Sequence, residues 1–123
     1  MAAIAVALPG EVVDLLYSAQ NDKTDPDRRH DVGALFAGGQ FWKVEEGGAI
    51  VGAMLTHTYG DEIWVDVAVG RAQDDLVALM ADHLDKQGAG FRSIGFQTAR
   101  RGLVRKIARH GYEVEAYILR KKL

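Results

Sequence analysis

Phe41-Trp42-Lys43-Val44-Glu45-Glu46-Gly47-Gly48-Ala49-Ile50-Val51-Gly52-Ala53-Met54-Leu55-Thr56-His57 is followed, after Thr58 and Tyr59-Gly60-Asp61, by Glu62-Ile63-Trp64-Val65-Asp66-Val67-Ala68-Val69. Two glycines between runs rich in β-branched and aromatic residues supply the positive φ of a tight hairpin, so 41–46 and 49–57 read as paired strands. Tyr59-Gly60-Asp61 reads as a second turn. In the third run Ile63, Val65, Val67 and Val69 alternate with Glu62, Trp64, Asp66 and Ala68. That alternation predicts a strand with one apolar face and places Asp66 on the same face as Glu62. Three strands joined by such short turns form an antiparallel meander.

Downstream, Leu76, Val77, Leu79, Met80 and Leu84 predict a helix from about Asp74 to Lys86, stopped by Gly88-Ala89-Gly90 and followed by a strand from Ser93 to Gln97. A strand, helix, strand succession makes a parallel pair. Thr98 is expected to cap a further helix with the apolar stripe Leu103, Val104, Ile107 and Ala108, ended by Gly111, and Tyr112 to Leu119 to form a final strand. Upstream, Ile4 to Leu8 reads as a strand closed by Pro9-Gly10. Val12, Leu15, Leu16 and Ala19 then recur at helical spacing, with Glu11 and Asp14 at the favourable N-terminal end. The polar stretch from Gln20 to Asp31 predicts an exposed loop, and Val32 to Phe36 a helical turn ended by Ala37-Gly38-Gly39. The expectation is one mixed α/β domain over residues 1–123: an antiparallel meander, then a helix-crossover parallel pair, with helices on both faces.

Composition agrees with one soluble domain. The chain has 123 residues, 48% apolar and 26% charged, enough for one core and too few for two ordinary domains. Cysteine is absent, which excludes disulfides, zinc–thiolate sites and a thiol nucleophile, and the four histidines show no ligand spacing, so no metal is expected. The apolar opening from Met1 to Leu8 is too short for a signal or a spanning segment, so a cytoplasmic protein with no membrane partner is expected. Charge is uneven. Residues 1–91 hold six Lys/Arg against fifteen Asp/Glu, a balance of −9, whereas residues 92–123 hold nine against two, a balance of +7. Either the basic part meets an anionic partner or the two parts attract each other within the fold.

The element order, the aromatic strand with its glycine turn and Ile50-Val51-Gly52 strand, the Glu62 to Val69 strand, and the ending Arg109-His110-Gly111-Tyr112 together resemble the GNAT superfamily of N-acetyltransferases. The resemblance implies the GNAT fold, acetyl-CoA as cofactor, and transfer of an acyl group to an amine of a small molecule, protein or nucleobase. It places pantetheine along the backbone of Val67, Ala68 and Val69, and the pyrophosphate over Gly70, Arg71, Ala72, Gln73, Asp74, Asp75 and Leu76, where free N–H groups open a helix. The family pattern Arg/Gln-x-x-Gly-x-Gly/Ala is not kept there. Its glycine pair is missing, and Asp74 and Asp75 stand where a phosphate would approach, in a place that also suits helix capping.

Histone-acetylating GNAT members have a Glu-Ile-Val-type start to the corresponding strand with that Glu as base, which implies Glu62 in that role; Asp66 and His57 are the other titratable candidates. Glu62 as a solvated strand end and His57 as an exposed hairpin residue are the competing readings. The acid that the family takes from a Tyr in the last helix corresponds to Ile107, leaving Tyr59, Tyr112, Tyr117 or water. Arg100, Arg101, Arg105 and Lys106 form a basic helix surface that suits the phosphates of CoA or of nucleic acid, or is simply solvated. Small phage-encoded GNAT-like proteins are similar in size and in their altered phosphate loop, and one such family, the Mom proteins, modifies adenine in DNA. A GNAT-fold protein that binds or modifies nucleic acid, or binds a protein partner, without acetyl-CoA chemistry is therefore the alternative. Open sheet edges leave a homodimer open as well.

Overall fold

The computed structural model describes residues 2–19, 36–71 and 75–123. Five strands form one sheet in chain order: β1 (Ala2–Val6), β2 (Gln40–Glu46), β3 (Ala49–Tyr59), β4 (Glu62–Gly70) and β5 (Ser93–Phe96). The first four run antiparallel, and β5 lies parallel to β4 after a crossover. The hairpin turn rests on Gly47 and Gly48, at φ 59° and 83°, where a side chain would be strained. The loop expected at 20–31 and most of the helical turn from Val32 to Phe36 lie outside the described residues.

Helix α1 (Pro9–Ser18) covers one face, burying Val12 and Leu16 against Phe41, Ala53, Leu55 and Val67. Pro9-Gly10 opens this helix rather than closing β1, because proline fits the first helical turn, where its missing N–H has no partner to lose. Glu11 accepts from the Leu8 N–H at 2.9 Å and from Lys43 Nζ at 2.7 Å, tying the helix start to β2. Helix α2 (Leu76–Gln87) covers the other face, where Met80 and Leu84 pack on Trp42, Val44, Met54, Ile63 and Val65. Helix α3 (Arg101–Ala108) packs beside α2 and buries no residue fully.

Three further expectations are corrected. Thr98 is not the cap of α3: Arg100 holds that position, and Thr98, two residues earlier, accepts at Oγ1 from the Arg100 N–H at 3.1 Å. Tyr112 to Leu119 is not a strand. Tyr112 packs on Phe96, but Val114, Tyr117, Ile118 and Leu119 beyond it are exposed and pair with nothing in the sheet; Tyr117-Ile118-Leu119 is a run without the two-residue period that buries one face. Finally, β4 does not keep one apolar face. Ile63 and Val65 join the α2-side core, whereas Val67 and Val69 join the α1-side core. The register explains the change: Thr56 is opposite Val65 and Leu55 opposite Val67, so Asp66 is an extra residue that reverses the alternation.

Candidate functional site

The β4–β5 ladder runs from Glu62–Ser93 to Val65–Phe96 and stops. Beyond it β4 continues to Gly70 with β3 on one side only, and the bulge at Asp66 falls at the parting point. β5 ends at Phe96, and the bulge, a device that bends a strand and raises its local twist, sits one residue beyond the last pair. The outer backbone edge of Val67, Ala68, Val69 and Gly70 is thus left without a strand partner among the described residues. At this end lies an open cleft of about 490 Å³, lined by Leu15 and Ser18 of α1, Val51 of β3, and Val69, Gly70 and Arg71.

Before the parting point, the α1-side face of the sheet gathers titratable and aromatic groups. His57 on β3 lies opposite Trp64 on β4, and its Nδ1 is hydrogen-bonded to Asp66 Oδ2. Glu62 stands one alternation before Trp64, so the face holds Glu62, Asp66 and His57 together. Half-buried Glu62 accepts a 2.7 Å hydrogen bond from Ser93 Oγ, while Oε1 has no protein partner among the described residues. The Trp64 indole fills the space over Gly95. Tyr59 stacks on His57 with ring centroids 6.0 Å apart and is the tyrosine on this face. Tyr112 lies on the opposite side against Phe96, its buried hydroxyl without a hydrogen-bond partner among the described residues, and Tyr117 is exposed in the C-terminal segment.

His57 has both ring nitrogens engaged, since Nε2 donates to the Ala37 carbonyl at 2.9 Å. Burial alone would lower its pKa, but the bonds to Asp66 and Ala37 outweigh it and raise the ring above its ordinary value. Burial also pushes the Asp66 carboxyl up, against the opposing pull of His57. Both directions favour keeping a proton on the pair.

The expected phosphate loop is only partly in view, because Ala72, Gln73 and Asp74 lie outside the described residues. The Arg71 N–H is taken by the Val51 carbonyl at 2.8 Å, and its side chain is exposed. Asp75 is the N-cap of α2 and accepts from the Ala78 N–H at 3.2 Å, so capping absorbs one of the helix donors. Leu76 packs into the α2-side core. Arg100, Arg101, Arg105 and Lys106 are exposed on or at the start of α3, and none pairs with a carboxylate among the described residues. Ile107 is half-buried in α3. Among the described residues no helix is long and apolar enough to cross a membrane.

Sequence reasoning missed Ser93, Gly95, Ala37 and Gly39. An isolated glycine inside a strand signals close approach, which was the available hint for Gly95. Nothing local marks Ser93 or the Ala37 carbonyl, because their partners come from other elements.

Four antiparallel strands with α1 between the first two, an α-crossover to a parallel fifth strand, and a bulge in β4 just past the last parallel pair make up a GNAT fold. Solved structures agree. A Bacillus subtilis acetyltransferase in complex with CoA matches with a TM-score of 0.71 at 17% identity, over 94% of this chain and 79% of that one. A GNAT family acetyltransferase from Elizabethkingia anophelis with acetyl-CoA bound gives 0.68 at 17% identity, over 94% and 78%. A ribosomal-protein-alanine N-acetyltransferase from Brucella melitensis gives 0.60 at 16% identity, over 99% and 100%. No protein-family profile and no curated protein matches the sequence.

Proposed function

We propose that this protein transfers an acyl group from acyl-CoA to an amine, with the cofactor entering where β4 leaves β5. The observation that carries the reading is the bulge at Asp66 just past the last β4–β5 pair: beyond it the outer edge of Val67 to Gly70 has no strand partner among the described residues, and Val69 and Gly70 line an open cleft. Backbone N–H and C=O groups on such an edge are obligatory hydrogen-bonding groups, and the amides of pantetheine complement them as an added strand would.

Glu62 is the base in this proposal. Attack by a neutral amine on the thioester carbonyl forms the C–N bond, and collapse of the tetrahedral species breaks the C–S bond and releases the CoA thiolate. The amine nitrogen must lose a proton on the way, and the Glu62 carboxylate takes it, with Ser93 holding the other oxygen in place. His57 is less suited, since both of its nitrogens are already bonded. Asp75 supports a pyrophosphate site displaced from the start of α2, with the exposed Arg71 side chain supplying positive charge.

The test is calorimetric titration with acetyl-CoA. Saturable binding weakened by Arg71→Ala is the expected result, and no heat at millimolar cofactor would overturn the proposal. A second reading, a nucleic-acid or protein-binding role without acyl transfer, draws on the exposed basic surface of α3. Salt-sensitive retardation of DNA or RNA, lost on replacing Arg101 and Arg105, with no acetyl-CoA binding, would favour it.

A further inference from the structure

Asp66 is the β4 residue that the ladder with β3 leaves without an opposite number. A bulge sacrifices ladder pairing, so it needs contacts of its own to stay at one position instead of sliding along the strand. Asp66 has a specific one. Its side chain, 5% exposed, bonds to His57 Nδ1, and His57 Nε2 reaches the Ala37 carbonyl. A single imidazole thus ties the bulge to the chain leading into β2.

Room for the ring depends on Gly39. A Cβ there would stand 3.0 Å from His57 Cε1 and 2.6 Å from Leu55 Cδ1, and neither atom belongs to a flexible, exposed chain end. Because a carbonyl only accepts, Nε2 carries a hydrogen, and one further proton lies between Nδ1 and Asp66. With that proton the pair is neutral overall; without it a buried carboxylate faces an imidazole lone pair.

We propose that His57 and Asp66 are a positioning pair whose shared proton fixes the β4 bulge and so presents the edge from Val67 to Gly70 to acyl-CoA. The cofactor half of this rests on the acyltransferase reading; the structural half does not. Asp66 is the charged group in contact with His57 among the described residues, Tyr59 is the titratable ring stacked on it, and Glu62 lies on the same face. The proton is held past the usual imidazole value of 6.5 and released as pH rises.

Amide hydrogen exchange from Val65 to Gly70, expressed as protection relative to intrinsic rates, tests the pair without any ligand. In the wild type, protection is expected to fall as pH rises above neutrality. Asp66→Asn can donate from its amide to Nδ1 of a neutral His57, so near-wild-type protection without that pH dependence is expected. Asp66→Ala and His57→Phe are expected to lose about tenfold or more at neutral pH. Equal protection in all four proteins, or a pH dependence that survives in Asp66→Asn, would overturn the pair. Acetyl-CoA titration of the same proteins separates the two proposals: Asp66→Ala is expected to bind more weakly than Asp66→Asn. No binding by the wild type would defeat the acyltransferase reading and the cofactor half of the pair's role, while exchange still decides its structural half.

Discussion

The indole of Trp64 lies over Gly95 across the parallel β4–β5 ladder, and a Cβ on residue 95 would come within 2.9 Å of the ring at Cζ3 and 3.4 Å of Glu62 Oε2. One missing methyl therefore sets the position of both an aromatic wall and the proposed base. Gly95→Ala is expected to destabilise the fold by about 1–3 kcal/mol through overpacking, and Trp64→Leu in the same chain to recover most of it. Urea denaturation of the single and double variants checks this; additive losses would show that the indole is not what residue 95 meets.

At the other end of β4, Gly70 and Gly52 bring two backbones together. A Cβ on Gly70 would fall 2.6 Å from Gly52 Cα and 2.7 Å from the Val51 carbonyl oxygen, at a φ of 154°. Backbone atoms cannot move aside as a side chain can. Gly70→Ala is expected to cost about 2–4 kcal/mol, whereas Gly102→Ala, with open space around it in α3, is expected to be neutral or stabilising. Thermal unfolding of both variants provides the comparison.

Glu62→Gln keeps the side chain's shape and its bond from Ser93 but removes the base. If Glu62 takes the amine proton, kcat for acyl transfer falls by about a hundred- to ten-thousand-fold while acetyl-CoA affinity is unchanged. Ser93→Ala is expected to have a smaller effect, because it leaves the carboxylate in place and removes one hydrogen bond. An unaltered rate in Glu62→Gln would transfer the role elsewhere.

His83 gives a pH dependence of opposite sign to that of His57. Its ring meets Trp42 edge-on at 4.4 Å, and burial, followed by the nearby Lys86, holds its pKa below the usual 6.5. A depressed histidine binds fewer protons in the folded state than in the unfolded one, so its contribution to stability is present above the unfolded value and lost as pH falls through the folded one. Between about pH 8 and about pH 5 the wild type should therefore lose more stability than His83→Leu. Equal losses would mean that the ring is readily protonated in the folded protein.

Much of the fold was legible in order along the chain. Gly47-Gly48 and Gly60-Asp61 fixed the meander because only residues tolerant of positive φ make such turns, and the helical spacing from Leu76 to Leu84 announced the crossover. Glu62, Asp66 and His57 were also found as residue types on neighbouring strands. Their relations were not. The sequence of β4 alternates without a break from Ile63 to Val69, yet Val65 and Val67 end in different cores, because the bulge arises only when β4 is matched residue by residue against β3. The segment from Tyr112 to Leu119 has strand-forming residues and no strand, since composition cannot supply a ladder partner. Local rules act over a few bonds and by themselves determined the turns, the helices and the apolar content of each strand; the bond between His57 and Asp66, the hold of Ser93 on Glu62, and the bulge of β4 against β3 join residues distant in sequence, and only tertiary packing decided them.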